Sequence, residues 1–256
     1  MILEARDLTV RFGGVSALAG VSFQVAPGTV TSLIGPNGAG KTTAFNVITG
    51  FQRPTQGTVR HDGETITGWR PHRIAARGLV RTFQKTSVFG GLTVRENVLT
   101  GLHLRGSVGV AAALLARARV RAEEERLAGE ADRVIDFVGL GPRRDELASG
   151  LSYGDQRLLE LAVALAAGPR LLLLDEPASG MTASEKVTVA ALIGRIREQG
   201  VTVFLVEHDM RLVMGISDRV LVLNYGRLIA DGDPAAVRRD PEVVRAYLGS
   251  GAHAHP

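Results

Sequence analysis

The chain has 256 residues, 45% of them apolar and 22% charged, which allows one large soluble domain or two modest ones with a real core. It contains no cysteine, so disulfides, thiolate metal sites and cysteine nucleophiles are excluded. The net charge of +4 rests on arginines scattered along the chain rather than gathered in one stripe, and so assigns no nucleic-acid partner.

In chain order, the opening "MILEARDLTVRF" lacks a basic segment followed by an apolar one and is read as no secretory leader. Ile2 to Val10 and Val21 to Val25 are short and rich in β-formers with glycines between, as in hairpins. Thr29 to Ile34 predicts a strand ending at Gly35, followed by a helix from about Lys41 to Thr49, and Gly57 to Gly63 predicts a short strand and turn. From about Val94 to Gly139 the composition turns to Ala, Leu, Arg and Glu with a helical period. Apolar strands return at Arg170 to Asp175, Val201 to Glu207 and Arg219 to Asn224. Strand–helix–strand alternation predicts a parallel sheet covered on both faces. The expected map is one α/β domain over residues 1–250. Its core spans about 1–85 and 166–250, a helical part spans about 86–165, and a disordered tail covers 251–256. The longest apolar stretches, such as "VGVAAALLARA" and "RLLLLD", fall short of the roughly 20 residues that span a bilayer, so membrane association is expected to run through a partner.

The chemistry concentrates after the first apolar strand. "GPNGAGKT", Gly35 to Thr42, fits G-x-x-x-x-G-K-[ST] between a strand and a helix. Its glycines let successive backbone N–H groups turn inward around phosphate oxygens, and the helix start adds partial positive charge. Gly35, Pro36, Asn37, Gly38, Ala39, Gly40, Lys41, Thr42 and Thr43 form the expected nucleotide-binding set, with Lys41 reaching the β and γ phosphates and the Thr42 hydroxyl joining an Mg²⁺ shell. The carboxylate partners are expected at the end of the buried strand "LLLLDEP". There Asp175 is placed to hold Mg²⁺ through water, and Glu176 to polarise the attacking water as general base. Gln84 and His208 stand at two further strand ends and converge with these groups on one γ-phosphate, Gln84 also as a candidate Mg²⁺ ligand.

A second anion site is read far along the chain, where "ELASGLSYGDQRLLELAVALA" opens a helix on Ser152 and Gly154.

Together these motifs resemble the ATPase subunit of an ABC (ATP-binding cassette) transporter over about residues 2 to 249. Phe12 resembles the aromatic residue that stacks on adenine, Gly35 to Thr42 the Walker A loop, Gln84 the Q-loop glutamine and Leu151 to Asp155 the signature. Asp175 and Glu176 resemble the Walker B pair, and His208 the switch histidine. The resemblance implies a P-loop NTPase of the α/β class: a RecA-like core with an antiparallel β subdomain and a helical subdomain. It further implies that Ser152 and the Gly154 N–H hold the γ-phosphate of ATP bound by a second cassette, of the same or a different chain, packed head to tail.

Segments such as "RFGGVSALAGVSF", "RTFQKTSVFGGLTVRENV" and "GRLIADGDPAAVRRDPEVVRAYLG" resemble the importer branch for branched-chain amino acids. That likeness implies ATP and Mg²⁺ as cofactors, transmembrane permease subunits, an extracytoplasmic binding protein as indirect partner, and a peripheral place on the cytoplasmic face of the inner membrane. A non-transport ABC ATPase acting on nucleic acid or the ribosome is the alternative. It would carry long coiled coils or tandem cassettes, and neither is in this chain, so no nucleic acid is expected. The signature reads LSYGD rather than LSGGQ, so the charge of Asp155 must be pointed away or offset. "SGMT" carries Thr182 where most cassettes have aspartate, which leaves open how the two sites communicate.

Overall fold

Hydrophobic runs of two kinds set the architecture. A computed structural model describes residues 1–82, 88–102 and 117–249. In chain order its elements are β1 (Leu3–Phe12), β2 (Val15–Val25), β3 (Val30–Ile34), α1 (Lys41–Ile48), β4 (Gln56–His61), β5 (Glu64–Thr65), α2 (Pro71–Ala75) and β6 (Leu79–Arg81). Then come α3 (Val94–Gly101), α4 (Arg117–Val138), α5 (Tyr153–Ala166), β7 (Leu171–Asp175), α6 (Ala183–Glu198), β8 (Thr202–Val206), α7 (Met210–Ile216), β9 (Arg219–Asn224), β10 (Arg227–Gly232), α8 (Pro234–Arg239) and α9 (Pro241–Gly249). Two units divide the chain, Met1–Arg81 with Arg170–Pro256, and Thr82–Pro169. The expected tail, 251–256, lies outside the described residues.

In the first unit every residue of β3, β7 and β8 is buried, which is why these strands read as unbroken apolar runs rather than alternating ones. They sit in the middle of a six-stranded sheet of order β10-β9-β3-β8-β7-β6. Its pairings are parallel except β10, which runs antiparallel to β9 at one edge. A second sheet, β2-β1-β4-β5, is antiparallel throughout. The two share one core cluster, in which Phe45 of α1 lies 5.1 Å from Phe204 of β8, and Phe23 of β2 lies 5.5 Å from the same ring. Each such aromatic pair adds about 0.5–1.5 kcal/mol beyond its area burial. The predicted hairpin strand at Val21 begins earlier, at Val15, because Val15 to Leu18 pair with Val10 to Phe12 across the Gly13–Gly14 turn.

The second unit is helical. Thr93 caps α3 in a reciprocal capping box with Glu96, which satisfies two backbone donors that a helix start otherwise leaves open. The buried Asn97 amide accepts the Phe89 N–H and donates to the carbonyls of Phe89, Leu92 and Thr93, fixing the segment that enters the helix. Arg95 of α3 pairs with Asp132 of α4 at 3.0 Å.

Candidate functional site

β3 delivers the chain into Gly35, and the loop closes on α1 at Lys41. Gly40 holds φ at 103°, and a Cβ there would sit 2.5 Å from the Ala17 carbonyl oxygen of β2. A Cβ on Gly35 would collide with the Leu223 carbonyl of β9. Both positions therefore demand glycine for conformation and for room. No side chain caps α1, so its first-turn N–H groups are left for a ligand at the helix start. Lys41 donates to the carbonyls of Gly35 at 2.7 Å and Pro36 at 3.0 Å, folded over its own loop. Burial pulls its ammonium below the ordinary lysine value, while the negative charges of Glu176 and Asp175 pull the other way. Asn37 and Thr42 are exposed, and Ala39 is buried.

Sheet register brings the acidic residues to the same edge. Val206 of β8 pairs with Leu33 of β3 on one side and with Asp175 of β7 on the other. Asp175 is therefore two strand spacings from the strand that feeds the loop, about 10 Å. Its Oδ2 accepts a 2.7 Å bond from the Arg81 guanidinium, which also donates to the Asn46 side-chain oxygen of α1 and to the hydroxyl of Thr49, which caps that helix. Glu176 follows at φ 51°, a left-handed conformation that a non-glycine residue adopts at a cost. Its N–H is held by the Val206 carbonyl at 2.9 Å. His208 Nδ1 lies 3.9 Å from Glu176 Oε2, too far for a hydrogen bond but close enough for both groups to face one reacting centre.

Three residues that sequence reasoning did not single out support this arrangement. Arg81 is the buried counter-charge to Asp175. The buried Glu207 accepts the Ala178 N–H at 3.0 Å and the His208 N–H at 3.0 Å, tying the segment after β7 to the one after β8. Tyr247 of α9 faces the backbone of Gly35; burial pushes its phenol up to about 12, and that backbone pulls the other way. "VRTF", "VEHD" and "RAYLG" carry these residues without a local signal, because Asp175, Ala178 and Gly35, which give them their roles, each lie more than 25 positions away.

Phe12 stands exposed at the end of β1, on the hairpin whose β2 strand meets Gly40. Gln84 lies outside the described residues. Thr182, the departure in "SGMT", caps α6 in a capping box with Glu185, a role that threonine and aspartate side chains both perform.

Ser152 and Gly154 belong to the second unit. Ser152 caps α5: its Oγ accepts the Asp155 N–H at 3.2 Å and donates to Asp155 Oδ2 at 2.7 Å. The same carboxylate oxygen is 3.1 Å from the Arg143 guanidinium, so the charge of Asp155 is offset. Tyr153 accepts a bond from Arg157, whose guanidinium also pairs with Glu160 at 2.8 Å.

One carboxylate and one hydroxyl near a phosphate cradle form a sparse oxygen donor set. Among the described residues no group of three or more acidic or imidazole side chains could cage a metal. That suits Mg²⁺, which keeps its waters and relies on nucleotide phosphates for further ligands.

The family model described as "ABC transporter" matches residues 18–179, and one described as "Branched-chain amino acid ATP-binding cassette transporter" matches residues 227–253. The high-affinity branched-chain amino acid transport ATP-binding protein BraF of Pseudomonas aeruginosa is 45% identical, over 97% of this chain and 98% of that protein. The corresponding protein LivG of Escherichia coli K12 is 42% identical over the same shares. The ADP-conformation crystal structure of an ATP-binding cassette of an ABC transporter superposes with a TM-score of 0.85 at 32% identity, covering 97% of this chain and 98% of that one.

Proposed function

The chain belongs to the ABC transporter family as one of its ATP-binding cassettes, an ABC ATPase, and from that premise we propose that it powers an importer of branched-chain amino acids or related small solutes. The solute reading is supported by the names of its relatives and by the match at the carboxyl end. The catalytic reading is carried by the register that sets Asp175 one pairing from Val206 and Val206 one pairing from Leu33.

On this reading ATP lies along Gly35 to Thr43, with Phe12 stacking on adenine and Lys41 leaving its loop carbonyls for the β and γ phosphates. Mg²⁺, held by Thr42, Asp175 and Gln84, would neutralise charge on the phosphate oxygens. Glu176 takes a proton from the attacking water as the bond between the γ phosphorus and the bridging oxygen breaks, giving ADP and phosphate. His208, beside Glu176, faces the departing phosphate.

Ser152 and Gly154 complete the site of a second cassette, either a copy of this chain or a related one. Such pairing makes ATP a bridge between two subunits and its hydrolysis a release, a ligand-driven shift between two assemblies. The work is delivered to transmembrane permease subunits at the cytoplasmic face of the inner membrane, with an extracytoplasmic binding protein delivering solute from the far side. No helix among the described residues is long and apolar enough to cross a membrane.

The test is Glu176→Gln. It is expected to bind ATP with near-normal affinity while steady-state hydrolysis falls by about 10²–10⁴. Fast single-turnover hydrolysis in this variant would remove Glu176 from the role of base. Uptake of radiolabelled leucine, isoleucine and valine by vesicles holding the assembled transporter tests the solute.

A further inference from the structure

The start of α5 differs from an ordinary anion-binding helix start in one respect: it already holds an anion of its own. Asp155 is the third helical residue, and its Oδ2 receives the Ser152 hydroxyl proton at 2.7 Å. In this state Ser152 points its hydrogen at Asp155, and the partial positive charge of the helix start is used on that carboxylate. A phosphate arriving there would meet a turned-away hydroxyl and a like charge.

Arg143 changes that balance. It closes the one-turn helix Gly141–Arg143, and its guanidinium reaches the same oxygen, Oδ2, at 3.1 Å. The neighbouring arginines are committed elsewhere: Arg144 to Asp136 at 2.9 Å, and Arg95 to Asp132 and Asp145. One carboxylate oxygen therefore has two donors, one of them a permanent cation.

We propose that Arg143 is a positioning residue for the signature, holding Asp155 so that the Ser152 hydroxyl is released to the γ-phosphate of ATP bound by a second copy of this chain. The proposal rests on the reading of Ser152 and Gly154 given above. When Ser152 swings its proton to phosphate, Asp155 keeps a charge-assisted partner and stays neutralised, so the transfer strands no lone carboxylate beside the incoming anion. The need for Arg143 comes from aspartate at this place; a neutral residue at 155 would remove it.

The experiment measures ATP-dependent self-association by sedimentation velocity in the Glu176→Gln chain, with Mg-ATP against Mg-ADP, ATP binding being followed by calorimetry. Added Arg143→Ala is expected to weaken ATP-driven association by about tenfold, the effect of one uncompensated charge near a phosphate. Arg143→Lys should retain most of it. Arg143→Ala with Asp155→Gln should return to the level of Asp155→Gln alone, a rescue that a merely structural role for Arg143 would not produce. Association of Arg143→Ala at the parental level, or failure of Asp155→Gln to rescue it, overturns the proposal. Ser152→Ala separates the two layers. If the parent associates and Ser152→Ala abolishes association while Arg143→Ala does not, only the role of Arg143 fails. If Ser152→Ala associates like the parent, the signature does not receive a copy's phosphate and both readings fall. If the parent binds ATP and stays monomeric, the second-copy proposal falls, while a related cassette as partner still stands.

Discussion

Each of the two proposed anion sites contains an arginine–aspartate pair, and the pairs are built in opposite ways. Arg81 and Asp175 are 7% and 3% exposed, at 2.7 Å, with the guanidinium also held by the side chains of Asn46 in α1 and Thr49 at its end. Arg143 and Asp155 are 45% and 23% exposed, at 3.1 Å, and share their oxygen with a serine hydroxyl. A buried pair is hard to rearrange, because removing either partner leaves a charge without solvent. An exposed pair exchanges partners at little cost. The phosphate loop thus has a fixed electrostatic floor, and the signature an adjustable one. On the proposed function, that division suits a loop that grips nucleotide through the chemical step and a signature that must engage and release.

Arg81→Met is expected to break the fixed floor with the largest effect, about 3–5 kcal/mol of stability, because Asp175 is left buried and uncompensated. Denaturant titration measures the loss, and Mg-ATP should recover more stability in this variant than in the parent. Gly40→Ala follows, with about 1–3 kcal/mol of backbone strain from the positive φ. The clash with the Ala17 carbonyl adds to that, and calorimetry should register ATP binding weakened beyond the stability loss. The smallest effect sharpens the contrast: Arg143→Ala should lower stability by under about 1 kcal/mol, because solvent replaces the lost partner. A loss as large as that of Arg81→Met would erase the distinction between the two floors.

How much of this was legible in the sequence depends on where each residue's partner lies. The loop from Gly35 to Thr43 and the edge residues Asp175 and Glu176 could be read locally, because strand, turn and helix start are adjacent in the chain. The run of four leucines announced a strand buried on both faces. Arg81 was invisible because its meaning depends on Asp175, 94 positions away. Glu207 read as the end of a strand and proved to be a buried acceptor for two loops. The antiparallel β10 edge was missed because "RLIADG" has no unbroken apolar run, and its residues are half-buried or exposed. Asp155 was recognised as a charge needing an offset, but only the fold brings Arg143 to it. Thr182 stood out as a missing carboxylate, and its part in the helix cap emerged only with Glu185 in place.

Glu207 carries one more consequence. Because a single carboxylate clasps Ala178, two positions past Glu176, and also His208, the proposed base and the histidine are tied through one side chain. A tilt in either loop is shared by the other, so the chain should pass between idle and competent states in one step, without a regime in which only half of the chemistry is in place.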